Sequence, residues 1–132
     1  MGSKRKLTRN ITRRGLDDIW RDTIRRRDKF RCQICSRGIK SAKGHEGATG
    51  NVHHIVGKRS NRARWDTFNG ILLCVGCHMG GVHSPDSIRS SDYIGRLRRV
   101  IGEDRWAYLE RLRADTRKRS LAEIEEELKR MK

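Results

Sequence analysis

The sequence has few acidic residues, few aromatic residues and no long apolar segment. Among 132 residues, 16 are Asp or Glu against 32 Lys or Arg, and aromatic side chains make up 5%. No segment approaches the roughly 18 to 20 apolar residues of a membrane-spanning helix, so we predict no membrane association. The basic start of the chain is not followed by an apolar segment, which predicts a cytoplasmic protein that is not secreted.

The composition limits the size of the core and indicates the kind of partner. Hydrophobic residues make up 34% and charged residues 36%, which predicts one small domain with a modest core. A loop-rich chain of this size gains stability from a bound metal ion. The net charge of +16 favours a polyanionic partner, most commonly nucleic acid. A charge that only keeps the protein in solution is the alternative interpretation.

Three regions are predicted along the chain. Residues 1–14 hold six basic and no acidic side chains and are expected to form a flexible basic arm. Residues 15–92 contain every cysteine and histidine and are expected to form the functional domain. Residues 93–132 show apolar residues at helical spacing and are expected to form a helical region.

Local patterns place secondary structure within these regions. A helix is predicted before the first cysteine pair from apolar residues at near-helical spacing, namely Leu16, Ile19, Trp20, Ile24 and Phe30. Segments 51–56 and 68–74 are β-prone and predict two antiparallel strands joined by a long basic loop. Gly80-Gly81 is expected to limit a short helix after the second strand, Gly102 to end a later one, and Ser120 to begin the last with a capping box.

Two cysteine pairs of identical spacing predict a structural zinc site. A gap of two residues lets both thiolates of a pair face one tetrahedral Zn²⁺, and two pairs leave no open position for substrate. The predicted ligands are Cys32, Cys35, Cys74 and Cys77, and 38 residues separate the pairs. A redox dithiol is one alternative. Covalent haem attachment by the segment from Cys74 to His78 is another, which the absence of an export signal disfavours.

Polar residues between and beside the cysteine pairs suggest a second site. His53 and His54 are adjacent in the first predicted strand, Asn69 begins the second, and His78 directly follows the last cysteine. Neighbouring strand residues point to opposite faces, so both histidines reach one group only if the strand is distorted there. A neutral imidazole has an ordinary pKa near 6.5 and can accept a proton at physiological pH.

These residues carry a family resemblance. Cys-x-x-Cys, then His-His-Ile, then Asn-Gly-Ile-x-Leu-Cys-x-x-Cys-His resembles the HNH endonucleases, most closely the phage NinG/Rap-type recombination endonucleases, from about Trp20 to Leu112. The resemblance implies an α+β fold, a small zinc-stabilised ββα-metal domain flanked by helices. It also implies metal-dependent hydrolysis of DNA that leaves 3′-OH and 5′-phosphate ends on branched or recombination DNA. For a phage-encoded protein the compartment is the cytoplasm of a bacterial host.

The resemblance also implies a role for each matching residue. His53 stands where the family has a catalytic-metal ligand, and His54 where it has the general base. Asn69 matches the residue that orients the base, and His78 matches the helix-borne metal ligand. His83 is a further candidate ligand, although the family often has this histidine one residue earlier.

The type of ligand bears on the choice of metal, and the basic loop indicates where DNA binds. Imidazole ligands suit Zn²⁺, Ni²⁺ or Mn²⁺ better than Mg²⁺, and the sequence leaves the choice among these four open. The basic loop between the strands is expected to contact phosphate through Lys58, Arg59, Arg62 and Arg64. The alternative function is a non-catalytic zinc-stabilised DNA-binding module. Bound haem is not expected for either function. The oligomeric state stays open, because the apolar stripes could serve a dimer or close the domain.

Overall fold

A computed structural model describes residues 11–39 and 50–131. Over these residues the chain is a small α+β fold with six α-helices and one two-stranded antiparallel sheet. Most of the predicted basic arm, and residues 40–49 of the loop after the first cysteine pair, lie outside the described residues. No helix in the described part of the chain has the length and apolar character that crossing a membrane requires.

The first helix, α1, spans Arg13–Arg27. It begins where the Thr12 hydroxyl accepts a hydrogen bond from the backbone N–H of Gly15 at 2.9 Å, which satisfies one of the free amides of the first turn. Leu16, Trp20 and Ile24 recur every four residues and are completely buried. The helix therefore starts earlier than its apolar stripe and includes the last two residues of the predicted arm.

The sheet consists of β1, Gly50–His54, and β2, Gly70–Cys74. The pairing is regular and places Gly50 opposite Cys74 and His54 opposite Gly70. Both strands are shorter than predicted, because residues 55–56 and 68–69 belong to the connection between the strands. The pairing continues to His54 without a bulge, so of the two expected distortions, a twist or a bulge, the structure excludes the bulge.

Short helical segments surround the sheet. The basic connection contains α2, Asn61–Arg64, and a 3₁₀ turn, Thr67–Asn69. After β2 the chain forms α3, Val75–Cys77, which continues into a π-helical turn, His78–Val82. The glycine pair expected to limit this helix lies inside the π turn instead.

Three longer helices complete the fold: α4, Ser87–Ile101; α5, Glu103–Ala114; and α6, Leu121–Arg130. Gly102 ends α4 with a φ of 89°, a conformation that glycine adopts without strain. The predicted capping box is confirmed, because Ser120 and Glu123 exchange hydrogen bonds at the start of α6. Helix α4 runs without a break through residues 92–93, where we placed a domain boundary.

One buried cluster joins the helices to the sheet. It contains the apolar face of α1, residues of both strands, and Leu97, Ile124 and Leu128 from the helices of the C-terminal region. Gly70 allows close packing within it, since a methyl group at this position would collide with Trp20 and Ile24 of α1. Helix α1 therefore lies directly against β2, beside His54 of the neighbouring strand.

Candidate metal centres and active site

The four cysteines form one compact cluster. Their sulfur atoms all lie within 4.8 Å of one another, and Cys35 Sγ is 3.6 Å from Cys74 Sγ. Within each pair a backbone N–H faces the first sulfur, from Cys35 to Cys32 at 3.5 Å and from Cys77 to Cys74 at 3.4 Å. Four thiols so arranged suit a structural metal ion, and tetrahedral Zn²⁺ prefers such a donor set.

Local backbone structure builds each half of this cluster. The first pair lies in a turn closed by hydrogen bonds from Cys32 N–H to the Arg37 carbonyl and from Ser36 N–H to the Cys32 carbonyl, both 2.8 Å. The second pair is placed by β2, which ends at Cys74, and by α3, which ends at Cys77. Burial raises the pKa of Cys74, but hydrogen bonds from Cys77 and the other thiols outweigh it and lower this pKa to about 7.

Three histidines form a second cluster. One ring nitrogen from each of His53, His78 and His83 lies within 4.8 Å of the other two. The ring centroids are 5.2 Å apart for His53 and His78, 5.0 Å for His53 and His83, and 4.7 Å for His78 and His83. His78 Nδ1 is buried without a hydrogen-bond partner in the described part of the chain. A buried nitrogen of this kind fits a metal ligand, since buried polar atoms otherwise find partners.

The π turn explains why His83 joins the cluster from an unexpected position. The backbone N–H of His83 donates to the His78 carbonyl at 2.9 Å, which is the hydrogen bond from residue i+5 to residue i of a π-helix. Five residues make one turn here, so His83 returns to the face that holds His78. Gly81 allows this turn to pack closely, because the Tyr93 ring of α4 occupies the space that a side chain would need.

Burial keeps His53 and His78 neutral. It lowers the pKa of His53 to about 3, with a further contribution from His78 and His83, and it lowers the pKa of His78 as well. A neutral imidazole has a free lone pair and can bind a metal ion, whereas imidazolium cannot. His53 and His78 can therefore bind a divalent ion at neutral pH, and the ring of His83 lies close enough to supply a third nitrogen.

His54 is held apart from this cluster by two contacts. Its ring stacks on Trp20 with centroids 4.0 Å apart and an interplanar angle of 13°. Nε2 lies 3.0 Å from the Arg64 carbonyl oxygen, which can only accept, so Nε2 carries the proton of the neutral ring and Nδ1 is unprotonated. Burial lowers the pKa of His54 to about 4, against the opposing effect of the Arg64 carbonyl. Near pH 7 the ring is a neutral proton acceptor.

Both kinds of histidine line the same open cavity of about 500 Å³. Three basic residues also line it, Arg21 and Arg25 from α1 and Lys58 from the connection between the strands. The Nε of Arg25 is buried and has no partner in the described part of the chain. The cavity thus combines neutral imidazoles with cationic side chains, a combination that suits a phosphate group.

Asn69 holds the connection between the strands in place. It lies in the 3₁₀ turn just before β2, not in the strand, and is completely buried. Its Oδ1 accepts from Val56 N–H at 2.8 Å, and its Nδ2 donates to the carbonyls of Gly57 and Ala63, both at 2.9 Å. Asn69 therefore fixes the segment that presents the Arg64 carbonyl to His54.

Replacing Asn69 with Ala is expected to lower the free energy of unfolding by about 2–4 kcal/mol, because three backbone groups lose their partners, one of them fully buried and two partly buried. Asn69→Asp keeps the size of the side chain but sets a carboxylate oxygen against two carbonyls, so we expect a loss of similar size. Chemical denaturation of the zinc-bound proteins measures both. Stability within 0.5 kcal/mol of the parent, about the spread of neutral surface changes, would contradict this role.

A partly buried ion pair, which the sequence pattern does not reveal, anchors the same segment from α1. The Arg64 guanidinium donates to both carboxylate oxygens of Asp17, at 3.1 and 2.7 Å, and the indole N–H of Trp65 donates to Asp17 at 2.8 Å.

Arg62, like Arg64, makes a contact within the protein, because its Nε donates to the Arg117 carbonyl at 3.3 Å. Two of the four residues assigned to DNA thus make contacts within the protein. Arg59 is exposed and does not line the cavity, so Lys58 alone of the four lines it.

The Asp17 pair predicts a pH-dependent stability. Burial alone would raise the pKa of Asp17, but Arg64 and Trp65 hold it below its ordinary value of 3.8. The stabilisation is therefore fully present above pH 3.8 and is lost as the pH falls through the lower pKa of the folded state. We expect Asp17→Asn to lower the free energy of unfolding by about 1–3 kcal/mol at pH 7. The difference in this free energy between variant and parent should narrow as the pH falls below 3.8.

Denaturant titrations from pH 7 downward, over the pH range in which the parent keeps its cooperative transition, measure that difference. Asp18→Asn is the matched control, because Asp18 is an exposed neighbour on the same helix and pairs with Arg21. It should change stability by less than about 0.5 kcal/mol. Equal stability of Asp17→Asn and the parent at pH 7 would show that the Asp17–Arg64 pair contributes nothing to stability.

Comparison of the chain with models of known protein families, with curated proteins and with solved structures found no match. What the structure establishes is a small α+β fold with a four-cysteine cluster suited to a metal ion. The function is therefore argued from the residues of the two clusters and the cavity.

Proposed function

We propose that the chain is a metal-dependent DNA endonuclease of the HNH type, with β1, β2 and the helical segment after them as its ββα-metal motif. The observation that supports this most directly is one cavity lined by a candidate metal-binding trio and by a separate, neutral histidine. A ligand set and a proton acceptor around one space are what hydrolysis of a phosphodiester requires. The net charge of +16 suits a DNA substrate.

Each residue has a defined task in this mechanism. Nδ1 of His54 accepts a proton from the attacking water, while the Arg64 carbonyl and the Trp20 ring keep the imidazole in place. A divalent ion held by His53, His78 and His83 would neutralise the phosphate and the departing 3′ oxygen. Arg21, Arg25 and Lys58 attract the DNA backbone into the cavity. The products are 3′-OH and 5′-phosphate ends.

Nicking of supercoiled plasmid tests the proposal. Protein with zinc at the cysteines is dialysed free of other ions and assayed with Mg²⁺, Mn²⁺, Ni²⁺ or Zn²⁺. We expect nicks that DNA ligase can seal, since ligase requires 3′-OH and 5′-phosphate ends. His78→Ala should lower the rate at least about 10-fold at limiting metal by removing a ligand. Met79→Ala is the matched control, because Met79 is the next residue and its side chain is exposed.

Two outcomes would contradict the endonuclease. DNA binding without cleavage under any of the four ions would favour the non-catalytic DNA-binding module. Equal nicking by His78→Ala and the parent at limiting metal would show that the histidine trio does not hold the ion.

The expected preference for branched DNA is tested separately, by comparing the cleavage of a four-way junction with that of a linear duplex of the same sequence.

A further inference from the structure

A second cavity of about 470 Å³ adjoins the cationic one. It lies between the end of β1, the π turn, α4 and α5, and it shares His53, His54 and His83 with the cationic cavity. Its volume is in the range of roughly 300–1,000 Å³ that small-molecule pockets occupy. The histidines therefore form a common boundary between two spaces, one on each side of the proposed scissile phosphate.

The walls of the second cavity differ from those of the first. They are mainly apolar and include Ile55, Val82, Leu97 and Trp106. Ile94 of α4 also lines it and is 42% exposed, so an apolar side chain at this cavity remains open to solvent. An apolar space next to a cationic one matches the two parts of a nucleotide, a flat base with apolar faces and a charged phosphate.

A few polar groups accompany the apolar walls. The indole N–H of Trp106 is buried and has no acceptor in the described part of the chain. Glu110 and Arg113 of α5 line the same cavity, so both a carboxylate and a guanidinium are available to the edge of a base. A mostly apolar pocket with a small number of polar groups is the usual composition of a site that recognises an aromatic ligand.

We propose that this cavity receives one unstacked nucleobase of the DNA strand whose phosphate lies at the histidines. This inference rests on the proposed endonuclease function and adds a substrate class to it. A base inside a regular duplex is paired and stacked and cannot enter such a cavity without a free-energy cost. The preferred substrate is therefore DNA with an unpaired nucleotide beside the scissile bond, as at a bulge or a branch point.

Binding measurements test the cavity without relying on cleavage. Affinities are measured with the zinc-bound parent and no other divalent ion, which prevents cleavage and leaves His54 in the wall of the cavity. Affinities are compared for a linear duplex and for the same duplex with one bulged nucleotide. We expect the bulged DNA to bind about 10-fold more tightly, since contact of an aromatic side chain with one base contributes on this scale.

Ile94→Trp fills the cavity and should remove this preference while leaving the affinity for the paired duplex unchanged. Val100→Trp is the matched control, because Val100 is an exposed apolar residue of the same helix that does not line the cavity. It should keep the preference. Thermal unfolding of both variants checks that the added indole has not disturbed the fold.

The outcomes separate the two proposals. Equal affinity for bulged and paired DNA, or a preference that survives in Ile94→Trp, would overturn the base cavity even if the parent cleaves DNA. A preference that Ile94→Trp alone removes would support the cavity even if the parent cleaves nothing. In the active parent, faster cleavage beside the bulge than in the paired duplex is the corresponding kinetic result.

Discussion

Replacement of Cys77 with Ser is expected to abolish the cooperative unfolding transition of the protein. Cys77 is buried, and a serine hydroxyl cannot replace a thiolate as a zinc ligand. The sulfur cluster joins the turn after α1 to the end of β2 and closes a segment of 38 residues that contains β1 and the connection between the strands. Metal binding at such a site contributes on the order of 10 kcal/mol, comparable to the whole stability of a small domain.

Circular dichroism during heating and zinc analysis of the purified protein measure this effect. The parent should bind one tightly held zinc ion and lose its transition when a strong chelator removes it, whereas Cys77→Ser should lack both from the start. Val75→Ala is the matched control, because Val75 lies between the two cysteines of the pair and is partly exposed. A cooperative transition that persists in metal-free parent protein would show that the core is sufficient by itself.

Loss of His54 is expected to have the largest effect on catalysis. We expect His54→Ala and His54→Gln to lower the nicking rate by about 10²–10⁴-fold, the usual contribution of a general base. Both should retain the zinc at the cysteines, and the glutamine amide can still donate to the Arg64 carbonyl. Plasmid nicking under saturating metal measures the rate, and thermal unfolding shows how much the lost stacking on Trp20 matters to stability.

Added imidazole separates a chemical role of His54 from a structural one. The alanine variant leaves space beside Trp20, so free imidazole should restore part of its activity. Glutamine fills that space, and imidazole should have little effect on His54→Gln. If both variants nick plasmid at the parent rate, another group accepts the proton and the assignment of His54 is wrong.

Local sequence pattern predicted the parts of the fold that depend on local interactions. The two-residue spacing within each cysteine pair, the capping box at Ser120 and the end of α4 at Gly102 each depend on residues within a few positions of one another. The structure contains the expected cysteine cluster, the capping box and the helix end. The positions of His53 and His78 beside the cysteine pairs suggested one site, and the family resemblance gave them the role of metal ligands. The structure brings them together with His83, whose spacing fits a π turn that no simple periodicity indicates.

Contacts between distant segments could not be predicted in this way. Asp17 and Arg64 are 47 positions apart, and nothing in either segment identifies the other as its partner. The basic loop was therefore assigned to DNA as a unit, although its arginines differ in their contacts. Arg21 and Arg25 line the first cavity only because α1 packs against the sheet. Trp106 reaches the second cavity from α5, a helix distant in sequence from His53 and His54, which line the same cavity.

The absence of a side chain at Gly70 makes the size of the residue at this position depend on the residues of α1 that pack against it. Because hydrogen is the only substituent that fits between β2 and α1, even a methyl group there would push the helix away and separate Trp20 from His54. Room for a side chain at position 70 would require changes at both Ile24 and Trp20, since a Cβ there would collide with Ile24 Cδ1 and with Trp20 Cζ2. The residues at positions 20, 24 and 70 therefore form one set whose sizes depend on one another.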